Sequence, residues 1–463
     1  MPAFAVTALL FAVGCSSSSP QAEQHAAGRS RQTQGPDGTA TTAADHSLSV
    51  AAAPAATPAA AAGPAGSGRA AHKTTLTVSS YDSKTRRAVI SQGKKPSSPS
   101  PSASSPSPSA SAGRHEAAVG DVIASAPAPG APHGLLAKVT EVIGETDKGT
   151  EVQTEPAALN ALLGDDTAKG TVPVDPASFD IDKLLPDVKV SWSKTGDVHV
   201  GPKGATVPLG SLRLDVSAEV PTSEGSPVSA AASVSGFVQV APQVDFKYGG
   251  QGTDTAPGSA YLGVSGDWTS GWAVKGRAAA SATPLRIPFA KLHADPVLQV
   301  GPVPVVVNLD LTCYFQISAD GKVTVDVQQS LKGDFKAGGT FGAGKGWSPV
   351  SASDMTSTPV RTSVTAAGNV KTTLGAEASV GLYGTVGVTA DLAPYLRGEA
   401  SGTVEASSDT AGAKTTGKWG LYGGVDLSGT LRLQLSIFGT PILQRSIPLG
   451  ALHREWQLAG DSI

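Results

Sequence analysis

From residue 181 onward, apolar and polar side chains alternate, the period of a strand with one buried face. The clearest run puts Val303, Val305, Val307, Leu309, Leu311, Cys313, Phe315 and Ile317 on one face. Pro304, Val306, Asn308, Asp310, Thr312, Tyr314 and Gln316 form a wetter face opposite. Ala319, Asp320, Gly321 and Lys322 then read as a turn centred on Asp-Gly, and Val323, Val325 and Val327 resume the alternation. That order predicts a β-hairpin. Residues 374–392 repeat the pattern through Val380, Leu382, Val386 and Val388. Residues 419–437 do so through Leu421, Val425, Leu427, Leu431, Leu433 and Leu435, with Tyr422, Asp426, Ser428, Thr430, Arg432 and Gln434 opposite. Shorter runs cover 212–220 and 234–246, and no helical period of comparable length competes.

Runs of this length would extend about 50–60 Å, beyond the usual strand. Glycines within them (Gly381, Gly384, Gly387, Gly423, Gly424, Gly429) read as bulges or bends that let a long sheet curl. Alternation with one wet face favours antiparallel pairing. The expected fold is mostly β: an elongated antiparallel sandwich or curled sheet over residues 170–460. A transmembrane barrel needs only about 9–11 residues per strand, with an apolar outside over a polar inside, and fits less well.

The N-terminal part has a different character. Residues 3–13 are apolar apart from Thr7, enough for a signal segment and too short to span a bilayer. Phe11, Ala12, Val13 and Gly14 lead into Cys15 and four serines. This resembles the lipobox of bacterial lipoproteins of the actinobacterial type. The resemblance implies a signal peptide over 1–14 and a diacylglycerol thioether at Cys15. Two departures are Ala12, where the pattern usually has Leu, and an n-region without Lys or Arg. Residues 15–72, rich in Ala, Ser, Thr, Gly and Pro, read as a disordered tether.

Residues 73–165 read as a small β module with a Ser/Pro-rich insertion at about 92–113, placed in a hairpin loop, and a short helix over 157–163 after Pro156. The run Gly120-Asp121-Val122, then Gly134-Leu135-Leu136, Lys138-Val139-Thr140, Thr154-Glu155-Pro156 resembles a module of bacterial secreted and surface proteins of unknown function. That resemblance implies location and no activity.

The chain has 463 residues and a formal net charge of −3, with no basic block to engage nucleic acid. Its two cysteines, Cys15 and Cys313, exclude a disulfide framework. Cys313, mid-strand on an apolar face, reads as a buried inert thiol. The eight histidines show no zinc-ligand spacing, and GxSxG, P-loop, Rossmann and calcium-loop motifs are absent, so no catalytic residue, metal site or cofactor is assigned. Trp268 and Trp272, four apart, with Tyr261, are candidates for a sugar-stacking platform, against the plainer role of core aromatics.

These features suggest a lipid-anchored protein on the extracytoplasmic face of the cell membrane, with a released fraction. It would act as a non-catalytic binding or structural module toward cell-wall polymer, glycan or lipid. The alternative is a carrier of lipid or another hydrophobic ligand in an elongated β groove. An enzyme with a site invisible in sequence is the third class. Oligomeric state is not legible. Cys15→Ala is expected to move the protein from the membrane fraction to the soluble one and to abolish labelled palmitate incorporation. Equal labelling of wild type and variant would contradict the anchor.

Overall fold

The computed structural model describes residues 47–54, 57–63, 71–92, 117–193, 199–201, 204–206, 211–220, 232–250, 257–278, 281–357, 361–407, 414–432 and 446–462. The signal segment 1–14, Cys15, the Ser/Pro tract of the expected insertion, Leu433 and Leu435 lie outside them. The described chain is mostly antiparallel β, in curled sheets that do not close into a barrel.

Ordered strands begin earlier than composition suggests. β1 (Ser47–Leu48), β2 (Val50–Ala52) and β3 (Ala60–Ala62) fall inside the stretch expected as a tether. Alanine offers little apolar area, so an Ala-rich segment scores as unable to fold. Yet Ala59 to Ala62 are each at most 2% exposed. β3 continues into β4 (His72–Lys73), β5 (Leu76–Asp82), β6 (Arg87–Gln92), β7 (Val122–Ser125), β8 (Leu135–Thr146) and β9 (Gly149–Pro156). They form one sheet in the order β4-β3-β7-β8-β9-β6-β5. It curls until the Ala59 N–H donates to the Leu76 carbonyl at 2.9 Å. β6 and β7 are not neighbours, so residues 93–116 join separated strands of one sheet and are not a hairpin loop. Helix α1 (Asn160–Leu163) is shorter than expected, because Pro156 ends β9 and does not open the helix.

The larger sheet follows: β10 (Thr167–Pro173), β11 (Asp180–Lys183), β12 (Lys189–Ser193), the separate hairpin of β13 (His199–Gly201) and β14 (Gly204–Thr206), β15 (Ser211–Val220), β16 (Ala232–Gly249), β17 (Ser259–Ala278), β18 (Ser281–Ala294) and β19 (Val297–Val300). Then come β20 (Val303–Gly342), β21 (Gly346–Ser357), β22 (Arg361–Leu382), β23 (Thr385–Ser407), β24 (Lys414–Arg432), β25 (Ser446–Pro448) and β26 (Leu452–Ser462). β1 joins β10 in parallel and β2 pairs with β19, so the N-terminal segment is stitched to this sheet as well.

β20 is the spine. One edge pairs in turn with β19, β18 and β17, the other with β22 and β21. The expected hairpin at residues 319–322 does not form, since Asp320 and Gly321 stay in the ladder opposite Asn369 and Gly368. The strand nevertheless changes direction. Leu309 and Leu311 line the same cavity as Phe335 and Ala337, although about 80 Å would separate Leu311 from Phe335 on a straight strand. β20 therefore folds over near its middle, and its halves face each other across a core without pairing. Its neighbours fold with it. One layer holds β16, β17, the second half of β20 and β21. The other holds β18, the first half of β20, the second half of β22, β23 and β24.

Two more sequence readings change. Residues 374–392 are not one strand: Tyr383 and Gly384, with φ of 48° and 80°, make a two-residue turn between β22 and β23. Val380 and Val388 pair across it, while a register shift sets Val386 opposite Gly381, so the expected face holds for Val380 and Val388 and not for Val386. In addition, the first residues of β20 are buried on both faces, with Val305, Val306 and Val307 all 0% exposed. The small sheet covers the second face, where Gly134 lies so close to Val306 that a Cβ would collide with it.

That contact explains why the expected domains 73–165 and 170–460 form a single compact unit. Alternate residues of the small sheet serve two cores. Ala60, Ala62, Val122, Ala124 and Leu136 join the large core with α1, and Ala59, Ala61, Ile123, Leu135 and Ala137 fill the small sheet's own. Ala60→Leu should overpack this junction and destabilise the protein by about 1–3 kcal/mol, read from a denaturant midpoint. A tether would tolerate it silently.

Candidate functional site

Where the two layers face each other, small side chains leave space. The layer with the first half of β20 contributes Leu309, Leu311, Leu374, Ala376, Ala378, Ala390, Leu392 and Leu427. Val238, Val240, Val264, Trp268, Ser270, Phe335 and Ala337 come from the other. Interdigitating sheets usually fill such a gap with branched side chains. Here four alanines, Ala337, Ala376, Ala378 and Ala390, line it instead. The cavity encloses about 80 Å³ of space. Its wall is almost wholly apolar.

Two polar atoms of its lining residues lie buried behind that wall. Ser270 Oγ and Trp268 Nε1 are buried without a hydrogen-bond partner, on residues 1% and 5% exposed. An unpaired buried hydroxyl or indole N–H is costly. Both residues border the cavity, but neither atom is open to it.

The structure dismantles the aromatic platform. Trp268 and Trp272 are buried on the inner face of β17, at 5% and 3% exposure. Tyr261 is an odd number of residues away and therefore on the outer face, where the Lys336 ammonium sits 5.2 Å from its ring centre. Trp268 lines the cavity, and these three residues form no common stacking surface.

The outer face follows its own rule. Tyr314 pairs across strands with Gly375 and lies flat over it. The Arg286 guanidinium stacks 3.6 Å from the ring centre and reaches Glu377 at 2.8 Å. Tyr395 covers Gly424 likewise, beneath Lys371, which pairs with Asp426 at 2.7 Å. Phe237 covers Gly271 beneath Arg213, which pairs with Asp215. Each stack fills the gap over a glycine and occupies a cation.

Cys313 is fully buried in the large core, and burial pushes its thiol up to about 12, far from a nucleophile's range.

A polar cluster sits where the small sheet meets β20. His133 Nδ1 lies 3.3 Å from Asp295 Oδ1, and His293 Nε2 lies 3.0 Å from Asp295 Oδ2. The other nitrogen of His293 meets Asp310 Oδ1 at 2.8 Å. Asn308, 7% exposed, donates its amide to Asp295 and accepts from the Gly384 N–H. Burial works against a proton on His293, but its bonds to Asp310 and Asp295 outweigh that and hold the imidazole above its ordinary value. Sequence reasoning missed this cluster, since no local spacing links His133 to His293. The lone Asn and Asp on an apolar strand were its only visible trace.

No protein-family model, curated protein or solved structure matches the chain. Ser270→Ala should leave the empty protein as stable as wild type or up to about 1 kcal/mol more stable, because it deletes an unpaired hydroxyl. Marked destabilisation in thermal or denaturant unfolding would show that the hydroxyl has a partner.

Proposed function

We propose that this protein is a lipid-anchored extracytoplasmic binding module, non-catalytic, whose interlayer cavity holds a hydrophobic ligand of lipid type. Of the classes weighed from sequence, the carrier is the one the geometry favours. The observation that carries it is the cavity: an almost wholly apolar wall around about 80 Å³ of space. That space is well below the roughly 300–1,000 Å³ of a pocket that encloses a whole small ligand, so it would take one end of an acyl chain. Each methylene transferred from water contributes about 0.8 kcal/mol, so a chain of six would supply about 5 kcal/mol. A sugar or wall-polymer ligand would ask instead for an exposed aromatic surface, and Trp268 and Trp272 are buried.

The anchor at Cys15 and the membrane location rest on the lipobox resemblance. Under this reading the anchor keeps the β domain near a membrane from which a lipid could be taken up.

The experiment combines native mass spectrometry of the purified chain with uptake of a fluorescent acyl-chain probe. Ala390→Phe puts a ring into the cavity and should cut probe affinity at least tenfold while the β-sheet circular dichroism and melting stay near wild type. Uptake unchanged by Ala390→Phe, with no co-purified ligand, would exclude the cavity as the binding site.

A further inference from the structure

We propose that His133, His293 and Asp295 form a zinc site that clamps the small sheet onto the long β sheet. One ligand atom from each lies within 4.8 Å of the others. His133 Nδ1 lies 3.3 Å from Asp295 Oδ1 and His293 Nε2 lies 3.0 Å from Asp295 Oδ2, so a small turn of the carboxylate would bring one oxygen to a tetrahedral edge from both nitrogens. That edge is about 3.3–3.4 Å for bonds of about 2.0–2.1 Å. The imidazole rings meet edge to face, with centroids 5.5 Å apart and planes at 80°, so their nitrogens approach from different directions.

The surrounding residues supply a second, independent argument. A zinc-bound histidine characteristically gives its other N–H to a carboxylate, which fixes the tautomer and turns the bare nitrogen to the metal. His293 has this arrangement: Nδ1 meets Asp310, and Nε2 is aimed at the Asp295 side of the cluster. Asn308 in turn holds Asp295 from a buried position, itself fixed by the Gly384 N–H. A solvent-exposed ion pair has no need of a buried amide and a carboxylate behind it. Without metal, His293 must carry two protons to serve both carboxylates. Zinc replaces the Nε2 proton, and a water completes four ligands on the exposed side, where the His133 and His293 side chains are 43% and 38% exposed.

The site is separate from the cavity, and its test does not depend on ligand uptake. The full chain, stripped with chelator, is titrated with zinc alone, and bound metal is counted by native mass spectrometry. One zinc per chain is expected. His133→Asn and Asp295→Asn should each weaken binding at least tenfold. Asp310→Asn, acting from behind His293, should weaken it about 10–100-fold. His453→Asn removes another exposed histidine bonded to a carboxylate, Asp426 at 2.6 Å, and should change nothing. Circular dichroism checks that each variant keeps its fold. Cobalt(II) in place of zinc should show the intense visible bands of a tetrahedral ion in wild type and lose them in Asp295→Asn. Absence of stoichiometric zinc, equal binding by wild type and Asp295→Asn, or an octahedral cobalt spectrum would overturn the proposal.

Discussion

Backbone pairing along both edges of β20 is the constraint on which the rest of the structure depends. A strand paired on one side can leave the sheet wherever its sequence offers a turn. β20 meets β18 and β17 on one edge and β22 and β21 on the other, so its neighbours must go where it goes. When it folds over, the sheet folds with it, and one continuous set of ladders produces two facing layers. The apolar alternation does the rest. Leu309 and Leu311 on the first half meet Phe335 and Ala337 on the second, so the strand's own inner face closes on itself.

The two faces then solve different packing problems. Outside, glycines let the sheet bend, and Tyr314, Tyr395 and Phe237 lie over them beneath Arg286, Lys371 and Arg213. The carboxylates beside those cations complete stacks that are dry against the sheet and wet at the tip. Inside, alanines at 337, 376, 378 and 390 stop short of filling the gap. An interior that leaves space gives up dispersion contacts. That loss is intelligible if a ligand restores them. The small sheet contributes in another way, by burying the second face of β20 around Val306 and bringing His133 to Asp295.

The faces of single strands were legible in the sequence. Period two placed Leu421, Val425, Leu427 and Leu431 inside, and all are at most 2% exposed. It also separates Tyr261 from Trp268 and Trp272 by parity, so grouping the three as a platform ignored information the pattern held. Partner strands were not legible. Asp320-Gly321 carries ordinary hairpin chemistry, and only the ladder to Asn369 and Gly368 shows that the chain does not pair back there. Ala59 to Ala62 resemble a linker in composition, because fit to a tight space leaves no signature in hydrophobicity. The His133–His293–Asp295 cluster needs the small sheet docked before its parts meet. Asn308 on an apolar strand was a usable hint: a buried amide requires partners, and it has them.

The account rests on the fold-over of β20, because the cavity and the facing layers vanish without it. The direct measurement is the distance between spin labels at Asp310→Cys and Lys332→Cys, exposed positions on the two halves, with Cys15 replaced by Ser and the buried Cys313 left in place. Sheets pack about 10 Å apart face to face, so labels on the outer sides of the folded layers should lie within about 35 Å of each other. A straight β20 would place them about 70 Å apart, and a distance distribution centred there would contradict the account.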